Sequence, residues 1–209
     1  FVAKPGGVKN GVRLVVDFKE YNYFIERPIH PFVPGNDIIK NLEPGSRCFS
    51  TLDFLWGYFQ CPLDEESQEI TTFLCEFGTY QYKVCPMGLC NSSDEFVRRS
   101  DYVLAGLPGV VKLIDDVLIT AENYPQLYER IENVLQQCEE HNIILSINKF
   151  KIGDPVVFSG FNLGSTGVFP TESRTKAITD FPAPKNLKQL RSFLGLAQQL
   201  GHMVPDLAM

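Results

Sequence analysis

Residues 110–120 read VVKLIDDVLIT, and the interpretation of this stretch decides the fold. Two apolar, β-branched runs, 110–114 and 117–119, flank Asp115 and Asp116. Such runs favour strands, and an Asp-Asp break suits a tight turn, so the spacing predicts a β-hairpin with two carboxylates at its tip. Taken alone, an acidic pair of this kind is an ordinary turn. Left ionised about 4 Å apart at an effective dielectric of about 20, however, the two charges repel by roughly 4 kcal/mol. A hard divalent cation such as Mg²⁺ reverses that sign, because it takes oxygen ligands.

A third carboxylate would turn the tip into a metal site. Residues 48–63, CFSTLDFLWGYFQCPL, begin as a buried strand over 49–52 with Asp53 at its end. Gly57 then permits a tight change of direction before Tyr58 and Phe59. An Asp after an apolar strand is commonly a cap or turn residue. One that meets Asp115 and Asp116 completes a three-carboxylate set.

Working outward, residues 1–22 read as a hairpin. A loop rich in Gly and Lys (Lys4, Lys9) precedes a strand over 13–18 that begins with Arg13. Alone this is a solvated surface hairpin; its Lys and Arg could also close on phosphate oxygens. Residues 36–42 can form a short helix ended by Pro44-Gly45, and 64–68 read as a turn or the start of a short helix. Residues 70–77 and 79–84 alternate as a hairpin around Gly78. Ser92 with Glu95 reads as a capping box opening a helix that carries Phe96, Val103 and Leu107 on one face. Residues 123–142 form the clearest helix, with Leu127, Ile131, Leu135 and Cys138 as its apolar stripe and Glu129, Glu132, Glu139 and Glu140 outside. Short strands follow at 143–147 and 156–163. Asn186 with Gln189 is a second capping box, opening a helix with Leu187, Leu190, Leu194 and Ala197. Strands, helix, hairpin, helix, strands and a basic helix make an α+β pattern with an antiparallel sheet.

Hydrophobic and charged contents of 44% and 21% are globular values, and 209 residues can bury a core as one domain or two. No apolar run is long enough to span a membrane, and no signal-peptide pattern is present. Six cysteines without a CxxC pair argue against zinc and for a reducing, intracellular setting. A net charge of −6 speaks against a generic nucleic-acid binder. Between Glu172 and Gly195, however, Arg174, Lys176, Lys185, Lys188 and Arg191 outnumber Glu172 and Asp180, so that segment could meet phosphates. The chain starts at Phe1 inside a strand-like run, which reads as a fragment.

With Asp53 and Asp115-Asp116 in view, the chain resembles the reverse transcriptases of gypsy-like long-terminal-repeat retrotransposons and retroviruses. Several stretches carry the likeness in order: RLVVDFKEYN (13–22), FSTLDFLWGYFQ (49–60), YQYKVCPMGLCNSSDEF (80–96), LIDD (113–116), NKFKIGDPVVFSGFNLG (148–164) and FPAPKNLKQLRSFLGLA (181–197). The resemblance implies a right-hand polymerase, with an antiparallel palm sheet packed on helices, fingers and a partial thumb. Residues 1–28 and 61–91 would be fingers, 29–60 and 92–164 palm, and 165–209 the start of the thumb or connection. It implies two Mg²⁺ ions, or Mn²⁺, on Asp53, Asp115, Asp116 and the Phe54 carbonyl. Arg13 and Lys4 or Lys9 would clamp the triphosphate, and Tyr58 would exclude a ribose 2′-hydroxyl. Met87 would lie beside the nucleotide, and Lys149 or Lys151 would act as acid. Leu113, Ile114 and the turn from Phe158 through Gly160 would hold the primer, and Lys188 and Arg191 the duplex. Partners are then an RNA or DNA template with primer and deoxynucleoside triphosphates, with no membrane. Fusion to ribonuclease H and integrase, and residence in a cytoplasmic particle or nucleus, follow from the family.

The sequence also departs from the family's pattern. Leu113 replaces an aromatic, Met87 a Phe or Gln, Ser92-Ser93 an Ala-Pro, and Gly201-His202 two basic residues. The alternative to an RNA-directed DNA polymerase is a catalytically inactive or host-adopted remnant that binds nucleic acid or protein. An unrelated carboxylate phosphatase or nuclease would need only the metal ligands and leaves Arg13, Tyr58 and the last helix unexplained.

Overall fold

The computed structural model describes residues 15–28, 30–31, 37, 39 and 42–203. They divide into two compact units, drawn from Phe1–Phe32, Phe54–Gly106 and Leu135–Ser146, and from Val33–Asp53, Leu107–Val134 and Ile147–Met209.

The second unit is built on a four-stranded antiparallel sheet in the order β4-β5-β1-β6. Its strands are β1 (Cys48–Asp53), β4 (Val110–Leu113), β5 (Asp116–Ala121) and β6 (Lys151–Gly153). β1 and β5 are the inner pair, and Val117 to Ile119 are fully buried. Both faces of the pair are covered, which explains why β5 reads as a continuous apolar run over 117–119, while β1 buries Ser50 and Thr51 among its apolar residues. A three-stranded meander, β7 (Val156–Phe158), β8 (Phe161–Gly164) and β9 (Gly167–Pro170), contributes to the same core. Phe49 and Leu118 of the sheet cluster there with Phe158, Phe161 and Leu163. Truncating a side chain such as Leu118 to alanine should cost about 3 kcal/mol.

The same unit contains a buried polar anchor. Arg130, on helix α4 (Tyr124–Glu140), is 7% exposed. Its Nη1 donates to the Thr120 carbonyl at 2.5 Å and to Glu43 Oε2 at 2.5 Å, and Nη2 reaches Glu43 Oε1 at 3.3 Å. Gly109 is required beside it, because a Cβ there would collide with the guanidinium. Thr120 N also donates to the Gly109 carbonyl at 2.8 Å, so this anchor fixes where the β4–β5 hairpin begins and ends.

In the first unit, Phe96 is fully buried at the centre of helix α3 (Ser92–Leu104). Phe54 packs edge-on against it at 5.2 Å and Tyr58 at 6.2 Å. The turn after β1 has its left-handed residue at Trp56, with φ 50°, rather than at Gly57. Gly57 is there for space: a Cβ would lie 2.7 Å from the Phe96 ring. The remaining elements of this unit are α1 (Lys19–Phe24), α2 (Glu65–Ile70) and the hairpin β2 (Phe73–Cys75) and β3 (Gly78–Tyr80).

Several expectations change. The 1–22 hairpin lies outside the described residues up to residue 14. Residues 15–18 carry no strand, because Asp17 Oδ1 accepts from Lys19 N at 2.9 Å and turns the chain into α1. Of the helix expected at 36–42, only Asp37 and Ile39 are described as helical. Ser92 does not cap α3: its Oγ donates to the Pro86 carbonyl, and Asn91 holds the N-cap position. The buried stripe of α4 runs Leu127, Ile131, Val134, Cys138, with Leu135 46% exposed, because a 3.6-residue period brings position 134 rather than 135 under the helix. Residues 143–147 form one bridge, Leu145 to Phe54, and then a 3₁₀ turn over Ile147–Lys149, in place of a strand. Residues 156–163 are a hairpin, turning at Ser159 (φ 50°) and Gly160 (φ 75°). Of the second capping box one half is present, Asn186 Oδ1 accepting from Gln189 N at 2.9 Å, while Gln189 Oε1 accepts from Lys185 N at 2.7 Å; the cap opens α6 (Leu187–Gln199) after α5 (Glu172–Thr179).

Candidate active site

Register brings the carboxylates together. β1 and β5 pair so that Asp53 lies opposite Asp116, and β4 and β5 pair so that Leu113 lies opposite Asp116. The turn is therefore Ile114-Asp115, one residue earlier than the Asp-Asp pair suggests, and Asp116 is the first residue of β5. Ile114 takes φ 55°, a left-handed conformation that a β-branched residue rarely adopts. The paired strands on both sides, with Lys112 opposite Val117, hold it there.

The site is electrostatically loaded. Burial, then the charge of Asp53, pushes the Asp115 carboxyl above the usual range, with Lys149 and Lys112 pulling it back. Asp116 is solvent-exposed along one side, and its carboxyl is still raised by desolvation, by the charge of Asp53 and by a hydrogen bond with that carboxylate. Asp115 Oδ1 is buried without a hydrogen-bond partner. Lys149 Nζ donates to Asp53 Oδ2 at 2.7 Å, a contact that places a cation on the cluster. A cleft of about 460 Å³ opens here, lined by Asp53, Asp116, Asn148, Lys149, Ser159 and Gly160 among others.

The donor set suits a hard divalent cation: all candidate donors are oxygens, burial and the charge of Asp53 disfavour the anionic forms of Asp115 and Asp116, and one buried acceptor is unsatisfied. Among the described residues no three acidic, His or Cys side chains converge tightly enough to hold a metal as they stand.

The other sequence-selected residues fall as follows. Leu113 is half-buried against the core cluster and Ile114 is 41% exposed. Phe158 is a core side chain, 2% exposed, and it borders the cleft together with Ser159 and Gly160. Lys188 and Arg191 are exposed on α6. In the first unit, Phe54 is buried, Tyr58 half-buried, and Met87 sits in a loop clamped by Asn22. Asn22 Nδ2 donates to the Gly88 carbonyl at 2.8 Å, and its Oδ1 accepts from Cys90 N at 2.9 Å. Lys4 and Arg13 lie outside the described residues. Sequence reasoning missed Asn22, and it missed Lys112, whose charge bears on Asp115; the only available signal was a lone Lys within an apolar strand.

Residues 2–163 match the family model for reverse transcriptase (RNA-dependent DNA polymerase). The chain is 33% identical over 199 residues to the Retrovirus-related Pol polyprotein from transposon gypsy of Drosophila melanogaster, covering 94% of this chain and 19% of that one. A structure of the foamy viral protease-reverse transcriptase in complex with double-stranded DNA superposes with a TM-score of 0.85 at 28% identity, over 98% of this chain and 36% of that one. Another, in complex with an RNA/DNA hybrid, gives 0.76 at 27% identity, over 90% and 26%. The chain belongs to the reverse transcriptase family. It spans about a fifth of the length of the gypsy polyprotein and about a third of the foamy viral chain. Among the described residues no helix is long and apolar enough to cross a membrane.

Proposed function

We propose that this chain is the polymerising part of a Pol polyprotein and adds deoxynucleotides to a primer 3′-hydroxyl on an RNA or DNA template. The observation that carries this reading is the pairing of Asp53 with Asp116 beside Asp115, whose buried Oδ1 has no partner. Asp53, Asp115, Asp116 and the Phe54 carbonyl would hold two Mg²⁺ ions, or Mn²⁺. When bound, these ions supply activation of the primer hydroxyl and neutralisation of the triphosphate and departing pyrophosphate.

The chain's own residues do the rest. Lys149, already on Asp53, serves as the acid toward pyrophosphate. Arg13 and Lys4 clamp phosphate oxygens, with Met87 beside the nucleotide. Tyr58 packs under the sugar, where an added 2′-hydroxyl clashes. Leu113, Ile114 and the Phe158–Gly160 turn hold the primer end. Lys188 and Arg191, exposed on α6, follow the duplex backbone, so binding weakens steeply with salt. In this reading residues 1–28 and 61–91 act as fingers, 29–60 and 92–164 as palm, and 165–209 as the start of the thumb. Ribonuclease H and integrase are fused to it, and it works in a cytoplasmic particle or the nucleus.

Primer extension on an RNA template with Mg²⁺, comparing deoxy- with ribonucleotides, tests the proposal beside an Asp115→Asn control. Deoxynucleotide incorporation that disappears in the control supports it; incorporation that persists removes the metal assignment. A second reading, an inactive binding remnant, has the Lys149–Asp53 pair in its favour, since an ammonium there does the neutralising work of a cation. It predicts duplex binding without incorporation.

A further inference from the structure

The six cysteines look scattered in sequence, yet the fold of the first unit sets two of them face to face. Pro62 and Val84 form an antiparallel bridge. Cys85 N donates to the Cys61 carbonyl at 2.8 Å, and Leu63 N donates to the Lys83 carbonyl at 3.0 Å. Those bonds flank the 62/84 pair and place Cys61 directly opposite Cys85. Opposed residues in such a ladder have Cα atoms about 5.5 Å apart and send their side chains to the same face. Disulfides bridge Cα separations of about 4.4–6.8 Å. Both residues are almost fully buried, 3% and 7% exposed.

The surroundings distinguish the two sulfurs. The hydrogen bond from Cys85 and the nearby Arg99 guanidinium hold the Cys61 thiol below the ordinary cysteine range, against burial and Glu95. Arg99 is fixed there by the Gln60 carbonyl at 2.6 Å and the His141 carbonyl at 3.0 Å. Cys85 is pushed up by the Cys61 sulfur and by burial. Cys85 also lines a cavity of about 640 Å³, which brings a water-sized reagent up to the Cys85 side of the pair.

We propose that Cys61 and Cys85 form a peroxide-oxidation site that closes to a reversible disulfide. The Cys61 thiolate attacks hydrogen peroxide: an S–O bond forms, the O–O bond breaks, and the leaving hydroxide takes the thiol proton as water. The Cys85 sulfur then attacks Cys61: the S–S bond forms, the S–O bond breaks, and a second water leaves with the Cys85 proton. Two thiols lose two electrons and two protons, and one peroxide becomes two waters. The bond ties together the ends of the 62–84 excursion that carries α2 and the β2–β3 hairpin. This site is independent of the polymerase reading.

Exposure alone points elsewhere, to Cys75 and Cys90, which are partly exposed while Cys48 and Cys138 are buried. The test uses the 209-residue chain with one equivalent of hydrogen peroxide, alkylation of remaining thiols, and a non-reducing peptide map. The expected result is one linked pair, Cys61 to Cys85, with the other four cysteines alkylated. Melting of the oxidised protein should rise by roughly 5–10 °C and return to its starting value with dithiothreitol. In Cys85→Ser a 1,3-diketone probe should accumulate on Cys61, and in Cys61→Ser Cys85 should stay alkylatable. Oxidation of Cys75 or Cys90 first, or full alkylation of Cys61 and Cys85 after peroxide, would overturn the proposal. The map on the unmutated chain decides it even if a serine variant fails to fold.

Discussion

Asp94 and Asp115 are the same side chain in opposite settings. Asp94, at the start of α3 in the first unit, is 7% exposed and fully partnered. Arg27 Nε donates to it at 2.6 Å and His30 N at 3.4 Å, and the hydrogen bond from Arg27 holds its carboxyl below the usual range. Asp115, at the β4–β5 turn of the second unit, keeps one oxygen buried and unpaired, and its carboxyl is raised. A buried acid that has its cation is part of the scaffold. A buried acid set among other acids, with no partner for one oxygen, costs stability and marks a candidate functional site.

The sharpest way to break this comparison is substitution. On the proposed function, Asp115→Asn should reduce primer extension by at least about 1,000-fold with the circular-dichroism spectrum unchanged, since it would remove a metal ligand while Oδ1 satisfies no hydrogen bond of the fold. Next in size is stability. Without divalent ions at pH 7, Asp94→Asn should lower the melting temperature by roughly 3–6 °C, whereas Asp115→Asn should hold or raise it. If Asp115→Asn melted as early as Asp94→Asn, the two acids would not differ as described.

The pH dependence gives the same contrast with opposite signs. A raised acid binds protons more readily in the folded state, so it destabilises above its folded value, and that penalty fades as pH falls toward the ordinary 3.8. A lowered acid stabilises above 3.8, and that contribution is lost as pH falls through its folded value. Melting curves should therefore show the advantage of Asp115→Asn shrinking between pH 7 and pH 4. The deficit of Asp94→Asn should persist to about pH 4 and close only below it.

Adding about 10 mM Mg²⁺ should raise the melting temperature of the parent by about 2 °C and leave Asp115→Asn unmoved; removing it with chelator should reverse the shift. The smallest effect concerns the turn. Ile114→Gly relieves the left-handed strain and should gain about 0.5–1 kcal/mol in urea titration, offset in part by the added chain entropy.

How much of this was readable in the residues varies by element. The β5 strand was legible because a covered strand is written as an unbroken apolar run, and the α6 cap because Asn and Gln stand three apart. Asp53, Asp115 and Asp116 stood out as acids bordering such runs. The α3 cap was misread because Ser92 has a stronger use for its hydroxyl on Pro86. The α4 stripe slipped by one residue because Leu135 and Val134 are equally apolar, and only the helix phase chooses between them.

Composition and local pattern by themselves determined the α+β class, the antiparallel hairpins and the acids at strand ends, because those depend on periodicity and turn chemistry within a few residues. Register, partners and protonation were decided only by the tertiary structure. A one-residue shift in pairing would have placed another residue opposite Asp53, and nothing local to residues 113–116 specifies that pairing. The same holds for Cys61 and Cys85, which sequence separates and an antiparallel ladder sets opposite one another. Charge interactions depend on distance through space, and that distance exists only once the chain has folded.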